Sequence, residues 1–218
     1  MSRAVDLAEQ VLDLVGDRAE AEVVASEGNL ALTRFANSFI HQNVAELGEA
    51  IALRVAVDGR VASTRTTTTN VESLAAFVEA ALETAQLQPV DAEWPGLAPP
   101  APTANVEHAD DATYDASPGA RAELVRAFVD AGTGLLAAGY CQTEGRPEAF
   151  VNSAGQSVSG RHTSAIIDGI HQTGTSAGTA HATSVAIGDL DGASVGERAA
   201  RRAIDSAAPF DTKPGEYE

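Results

Sequence analysis

Apolar positions near the N-terminus recur at helical spacing and then change to a period of two. Ala4, Ala8, Val11, Leu12 and Val15 predict an amphipathic helix with Ser2 as its N-cap and Gly16 as its stop. From Glu20 onward Ala21, Val23 and Ala25 share one face of a strand, although Val24 blurs the alternation. Gly28-Asn29 is a turn signal and predicts a break there. In the next strand Leu30, Leu32 and Arg34 share one face, and Ala31, Thr33 and Phe35 share the other. Residues 39–44 continue after Asn37-Ser38. Then Ile51, Leu53, Val55 and Val57 alternate cleanly up to Asp58-Gly59, a two-residue hairpin signal. Thr69-x-x-Glu72 predicts a capped helix that buries Leu74, Val78, Ala81, Leu82 and Ala85.

Residues 88–116 break the pattern with Pro89, Pro95, Pro99, Pro100 and Pro102 and several acids. A stretch this long without periodicity reads as a linker or as a strap laid over the surface, pinned by Trp94. The order of elements then repeats. Ser117-Pro118 opens a helix with Leu124, Phe128, Ala131 and Leu135 as its stripe. Strand-like segments follow at YCQTE, AFVNS, RHTSAIIDGIHQ and GTAHATSVAI, with GTSAG as a hairpin tip. Ser194-x-x-Glu197 caps a last helix carrying Ala200, Ala203, Ile204 and Ala207, stopped by Pro209. FANS from Phe35 recurs as FVNS from Phe150, which fits an internal duplication or the coincidence of a short match. The expected fold is α+β: antiparallel sheet segments flanked by about four helices. Its two similar βα lobes, 1–87 and 117–218, are joined by the Pro-rich connector 88–116.

Charge narrows the function. Lys and Arg total 14 against 31 Asp and Glu, a net charge of −17, which repels nucleic acid and anionic lipid surfaces. Aromatics are 5%, so Ala, Val, Leu and Ile must build the core. No apolar run reaches 18 residues and the first helix carries acids, so the expectation is a cytoplasmic protein with no membrane partner. Cys141 is the only cysteine, which rules out an intramolecular disulfide and a multi-cysteine zinc site.

Candidate chemistry is sparse. The histidines are His41, His108, His162, His171 and His181, and none is paired at i, i+4. His171 and His181 could face each other across a hairpin, but solvated strand histidines account for the set more simply. No G-x-S-x-G is present, and Ser38 and Ser153 read as turn residues. Cys141 reads as a small buried hydrophobe. The segment TRFANSFIHQN concentrates polar side chains, and its candidate substrate-binding residues are Arg34, Asn37, His41 and Gln42. They either hydrogen-bond a peptide at a sheet edge or form the polar face of a half-exposed sheet. No catalytic residue and no metal ligand is assigned.

LTRFANSFIHQNVAE, VAVDGRVASTRTTTTNVESL, PGLAPP, FVNSAGQSV and GTSAGTAHATS together resemble the N-terminal half of TldD/PmbA (TldE) proteins, in the expected order over nearly the whole chain. That family was once described as modulators of DNA gyrase. The resemblance implies a TldD–TldE pair, or a homodimer, enclosing a chamber where small or unfolded peptides are hydrolysed, including peptide-antibiotic precursors and an antitoxin. It also implies a zinc ion in the catalytic subunit, held by an HExxxH helix and a later cysteine, and a partner subunit that lacks those ligands. Histidines on adjacent helical turns would grip the metal while the glutamate activates its water. No HExxxH occurs here, so no catalytic residue carries over and no cofactor is expected in this chain. The sequence leans towards the TldE type. The reading is assembly and chamber wall rather than catalysis; the alternative is a stand-alone binding or scaffold module that pairs with a full-length partner.

Overall fold

The computed structural model describes residues 2–103, 108–209 and 213–216. The first half runs α1 (Arg3–Val15), β1 (Glu20–Ala36), β2 (Phe39–Val57), β3 (Arg60–Thr66) and α2 (Val71–Leu87). After a short α3 (Asp111–Tyr114) the second half repeats that order. It runs α4 (Pro118–Asp130), β4 (Leu136–Asn152), β5 (Ser157–Gln172), β6 (Ala177–Ser184) and α5 (Gly192–Asp205). The six strands form one sheet in the order β3-β2-β1-β4-β5-β6, and the hairpin pairs β2/β3 and β5/β6 are antiparallel. The α+β reading holds, with four full-length helices and one of a single turn among the described residues. FANS and FVNS both lie where a long strand ends and the chain turns into the next one.

The strands are longer than their turn signals suggest. Gly28-Asn29 does not break the chain: β1 passes straight through it. Neither residue takes positive φ, and a Cβ added to Gly28 would meet nothing within 4 Å, so the glycine is tolerated in extended backbone without being needed for a turn. The Asp58-Gly59 turn is real, with φ of 50° and 73°, and it sets the register Val57↔Arg60 through Ile51↔Thr66. Two caps move from their predicted residues. Asn70, not Thr69, stands at the N-cap and accepts from Ser73 N at 3.0 Å, while the Thr69 hydroxyl donates to Glu49. At α5, Asp191 rather than Ser194 is the cap and accepts from Ser194 N at 3.1 Å. Ser117 caps α4 as expected.

Two compact units arise, and neither follows the sequential division at 88–116. The first is Met1–Asn29, Glu46–Ala109 and Gly145–His162; the second is Leu30–Ala45, Asp110–Glu144 and Thr163–Glu218. In the first, Leu7, Val11 and Val15 of α1 and Leu74, Val78 and Ala81 of α2 pack on Val23, Ile51, Leu53 and Val55. Each such large aliphatic contributes about 1.5–3 kcal/mol by leaving water. The proline-rich segment is a strap on this unit. Asp91 N donates to Gly59 O at 2.7 Å and Ala101 N to Gln156 Oε1 at 2.7 Å. The Trp94 indole donates to Glu20 at 2.9 Å and carries the Arg54 guanidinium 5.4 Å from its ring centroid, so it is the pin.

In the second unit Phe35, Val125, Phe128, Cys141, Ile167, Val195 and Ala199 form the core. The stripe of α5 differs from the expected one: Val195, Ala199, Ala200 and Ala203 are buried, whereas Ile204 is 60% exposed and Ala207 lies past the helix end. Its first two turns carry Gly192 and Gly196 on one face, where α4 approaches closely. A Cβ at Gly196 would stand 2.3 Å from Phe128 O, and one at Gly192 2.2 Å from Leu124 O, so any side chain there forces the helices apart. Gly196→Ala is expected to lower stability by about 1–3 kcal/mol in urea unfolding, against the gain that alanine normally brings inside a helix.

Candidate functional site

The polar segment of 33–43 folds as the β1–β2 hairpin. Asn37 and Ser38 have φ of 50° and 64°, the left-handed pair that a two-residue primed turn demands. Asn is one of the few residues that accepts this backbone, so the turn itself accounts for Asn37. Ser38 ties the turn to the start of β4: its N donates to Ala137 O at 2.9 Å, and its Oγ accepts from Ala137 N at 3.0 Å. Arg34 Nη1 donates to Gln42 Oε1 at 3.2 Å on the exposed surface, and His41 is exposed on β2. Of the four candidate residues, the hairpin therefore joins Arg34 to Gln42, uses Asn37 as its corner, and leaves His41 open to solvent. Next to them Phe39 is 58% exposed and helps line a groove of about 190 Å³ with Ile40, Val125 and Val129.

A second polar cluster is buried. Arg121 of α4 is 1% exposed; its Nε donates to Thr33 Oγ1 at 3.3 Å, and its Nη1 donates to Ala116 O at 2.8 Å and Thr143 Oγ1 at 3.1 Å. Thr33 in turn donates to Asn43 Oδ1 at 2.6 Å. Burial lowers the Arg121 pKa from its usual value, but a guanidinium keeps its charge in proteins, so these neutral acceptors hold a cation. Thr33, Thr143 and the Ala116–Arg121 segment come from three separate parts of the chain, and no local pattern joins them.

His171 corrects the picture of solvated histidines. It is fully buried, stacked on Phe128 with ring centroids 4.9 Å apart and planes at 4°. Its Nε2 donates to Phe128 O at 3.0 Å, which fixes the Nε2–H tautomer and leaves Nδ1 without a partner among the described residues. Gly132 makes room for the ring, since a Cβ there would lie 2.2 Å from Cε1. Burial lowers the His171 pKa, and the Phe128 carbonyl opposes this in part. His171 pairs with Gly178 and His181 with Asp168, so the two histidines do not face each other across the hairpin. Cys141 is fully buried, and burial pushes its thiol up to about 12, with the nearby Arg121 charge opposing. It stays a thiol at neutral pH and is no nucleophile.

His108 and His162 form an isolated parallel β-bridge, a juxtaposition without any sequence signal. They line a cleft of about 540 Å³ together with Arg161, Glu148, Val24, Phe150 and Val158. Among the described residues no group of three His, Cys, Asp or Glu side chains is arranged to hold a metal ion, so the zinc implied by the resemblance does not fit these residues. Among them, too, no helix is long and apolar enough to cross a membrane.

Residues 21–85 match the family profile described as PmbA/TldA metallopeptidase domain 1. The fold is similar to that of a candidate modulator of DNA gyrase from Bacteroides thetaiotaomicron, with a TM-score of 0.86 at 16% identity over 97% of this chain and 52% of that one. It is similar to TldE from Thermococcus kodakarensis, with a TM-score of 0.75 at 17% identity over 92% of this chain and 46% of that one. A second candidate gyrase modulator, from Thermotoga maritima, gives a TM-score of 0.76 at 14% identity, covering 96% and 50%. No curated protein matches in sequence. The chain spans about half the length of these solved structures. The resemblance to the N-terminal half of TldD/PmbA proteins therefore holds in the sequence of residues 21–85 and in the fold.

Two outcomes are expected. Asn37→Gly should unfold in urea within about 0.5 kcal/mol of the wild type, whereas Asn37→Ala should lose about 1 kcal/mol to its left-handed backbone. Because the folded-state pKa of His171 is depressed, the unfolded chain takes up the proton first as pH falls. Stability should be fully present above about 6.5, the unfolded value, and be lost as pH drops from there towards the folded value. Urea midpoints at neutral and mildly acidic pH should show a smaller drop for His171→Phe than for the wild type.

Proposed function

We propose that this chain is the N-terminal region of a TldD/PmbA-type metallopeptidase subunit. It supplies assembly surface and part of the wall of a peptide chamber, while a zinc-bearing partner or further region carries out hydrolysis. The observation that carries this reading is the match of residues 21–85 to domain 1 of that family. The fold shared with TldE over about half of that protein supports it. So does the buried, hydrogen-bonded state of the polar groups in the second unit, which leaves Arg121 and Cys141 no part in bond cleavage. In this reading the protein works in the cytoplasm, its partner is a paralogous subunit carrying HExxxH, and its substrate is a small or unfolded peptide. Arg34, His41 and Gln42 face that peptide, with Asn37 holding their hairpin in shape.

The test mixes the purified chain with a paralogous HExxxH-bearing subunit and follows co-migration in size exclusion and hydrolysis of an unfolded peptide. Association, with hydrolysis that needs both components and stops on adding a chelator, is expected. Chelator-sensitive hydrolysis by the chain alone would overturn the reading, as would failure to associate.

A further inference from the structure

The sheet covers one of its edges and leaves part of the other open. At β6, the last strand in the order, Arg198 Nη2 donates to His181 O at 3.1 Å and Arg202 Nη1 to Thr179 O at 2.6 Å, so guanidinium groups of α5 occupy two carbonyls of that strand. On the opposite side β3 pairs only with Ile51–Val57 of β2. At Phe39–Ala45, in the second unit, β2 is therefore itself the edge strand. Phe39 to Asn43 and Ala45 are exposed and Val44 is half-buried. Among the described residues no side chain caps this edge. An extended backbone with open N–H and C=O groups is a template for a further strand.

Charge and symmetry identify the occupant. With a net charge of −17, copies of this chain repel wherever carboxylates meet, yet Phe39–Ala45 contains no Asp, Glu, Lys or Arg. Two-fold pairing of identical antiparallel strands sets residues of one sheet face opposite each other, so the register can move only in steps that keep parity. Centred on Gln42, it places Ile40 against Val44, Phe39 against Ala45, His41 against Asn43 and Gln42 against its own copy, with Glu46 outside the pairing. Centring on Asn43 would set Glu46 against Ile40, and centring on Val44 would set Glu46 against Gln42 and Glu49 against Phe39. The first register alone joins β-branched Ile40 to Val44 and keeps every carboxylate out.

We propose that β2 pairs antiparallel with the β2 of a second copy of this chain along Phe39–Ala45, centred on Gln42. One short strand per copy belongs at the small end of interface sizes, below ~1,200 Å², so the dimer is weak and forms with rising concentration. The contact is made by the backbone edge, which leaves the faces of the hairpin, with Arg34 and His41, open to a peptide. The proposal goes beyond the peptide-chamber reading and does not depend on it.

The experiment follows sedimentation velocity of the purified full chain from micromolar to millimolar concentration. A reversible shift from monomer to dimer is expected. Gln42→Lys sets two cations opposite each other at the centre and should weaken the dimer at least about tenfold. An equimolar mixture of Gln42→Lys and Gln42→Glu should regain it as a heterodimer. Gln42 is exposed, so both variants should keep the circular dichroism of the wild type. A wild type that stays monomeric throughout, a Gln42→Lys variant that dimerises as well as the wild type, or a mixture no better than Gln42→Lys alone would each overturn the proposal. Association seen only when an HExxxH-bearing subunit is added would support the assembly reading and overturn this one, so the two fail separately.

Discussion

The phase of burial along the long strands constrains everything else. β1 buries Ala21, Val23 and Ala25 in one core and Thr33 and Phe35 in the other; β4 buries Ala137 and Cys141 in one, then Ala149 and Val151 in the other. β2 and β5 keep the same odd-numbered phase at Ile51, Leu53 and Val55 and at Ala165 and Ile167. Because strand side chains alternate strictly, each core fixes the register of the strand segments that feed it. Positions 27–32 of β1 stay extended and half-buried despite a glycine and an asparagine.

That constraint marks which parts of the fold were legible in the sequence. Alternation at Ile51, Leu53 and Val55 and the Asp58-Gly59 turn were readable because pattern and turn chemistry agree over a few residues. Gly28-Asn29 misled because turn propensity is local, and both residues also tolerate the extended backbone they adopt in β1. The caps at Asn70 and Asp191 were each misplaced by the same trap. A Ser/Thr-x-x-Glu motif satisfies the capping pattern, but the residue at the true boundary depends on where the preceding strand or loop delivers the chain. On α5 the Ala-rich stripe looked rotated because Gly192 and Gly196, not the large residue Ile204, face the neighbouring helix.

The candidate site was less legible, for a physical reason. Arg34, Asn37, His41 and Gln42 stood out as a dense polar run, and the hairpin does bring two of them together. Asn37, however, is required by backbone geometry, which sequence density alone does not separate from ligand contact. Arg121, Thr33 and Thr143 meet only because α4, β1 and β4 pack, and the His108–His162 bridge joins the strap to β5. Contacts between distant segments leave no spacing to read.

These polar groups differ in what they can still do. In the Arg121 cluster the hydrogen bonds are made internally and water is excluded, so its energy goes into holding α4 to β1 and β4. His171 is spent in the same way, one nitrogen on Phe128 and the other shut off from solvent, which makes it a liability in acid rather than a reagent. Cys141, held as a thiol by burial, adds volume to a core poor in aromatics. The exposed β1–β2 hairpin and the cleft beside the strap are, by contrast, open to solvent.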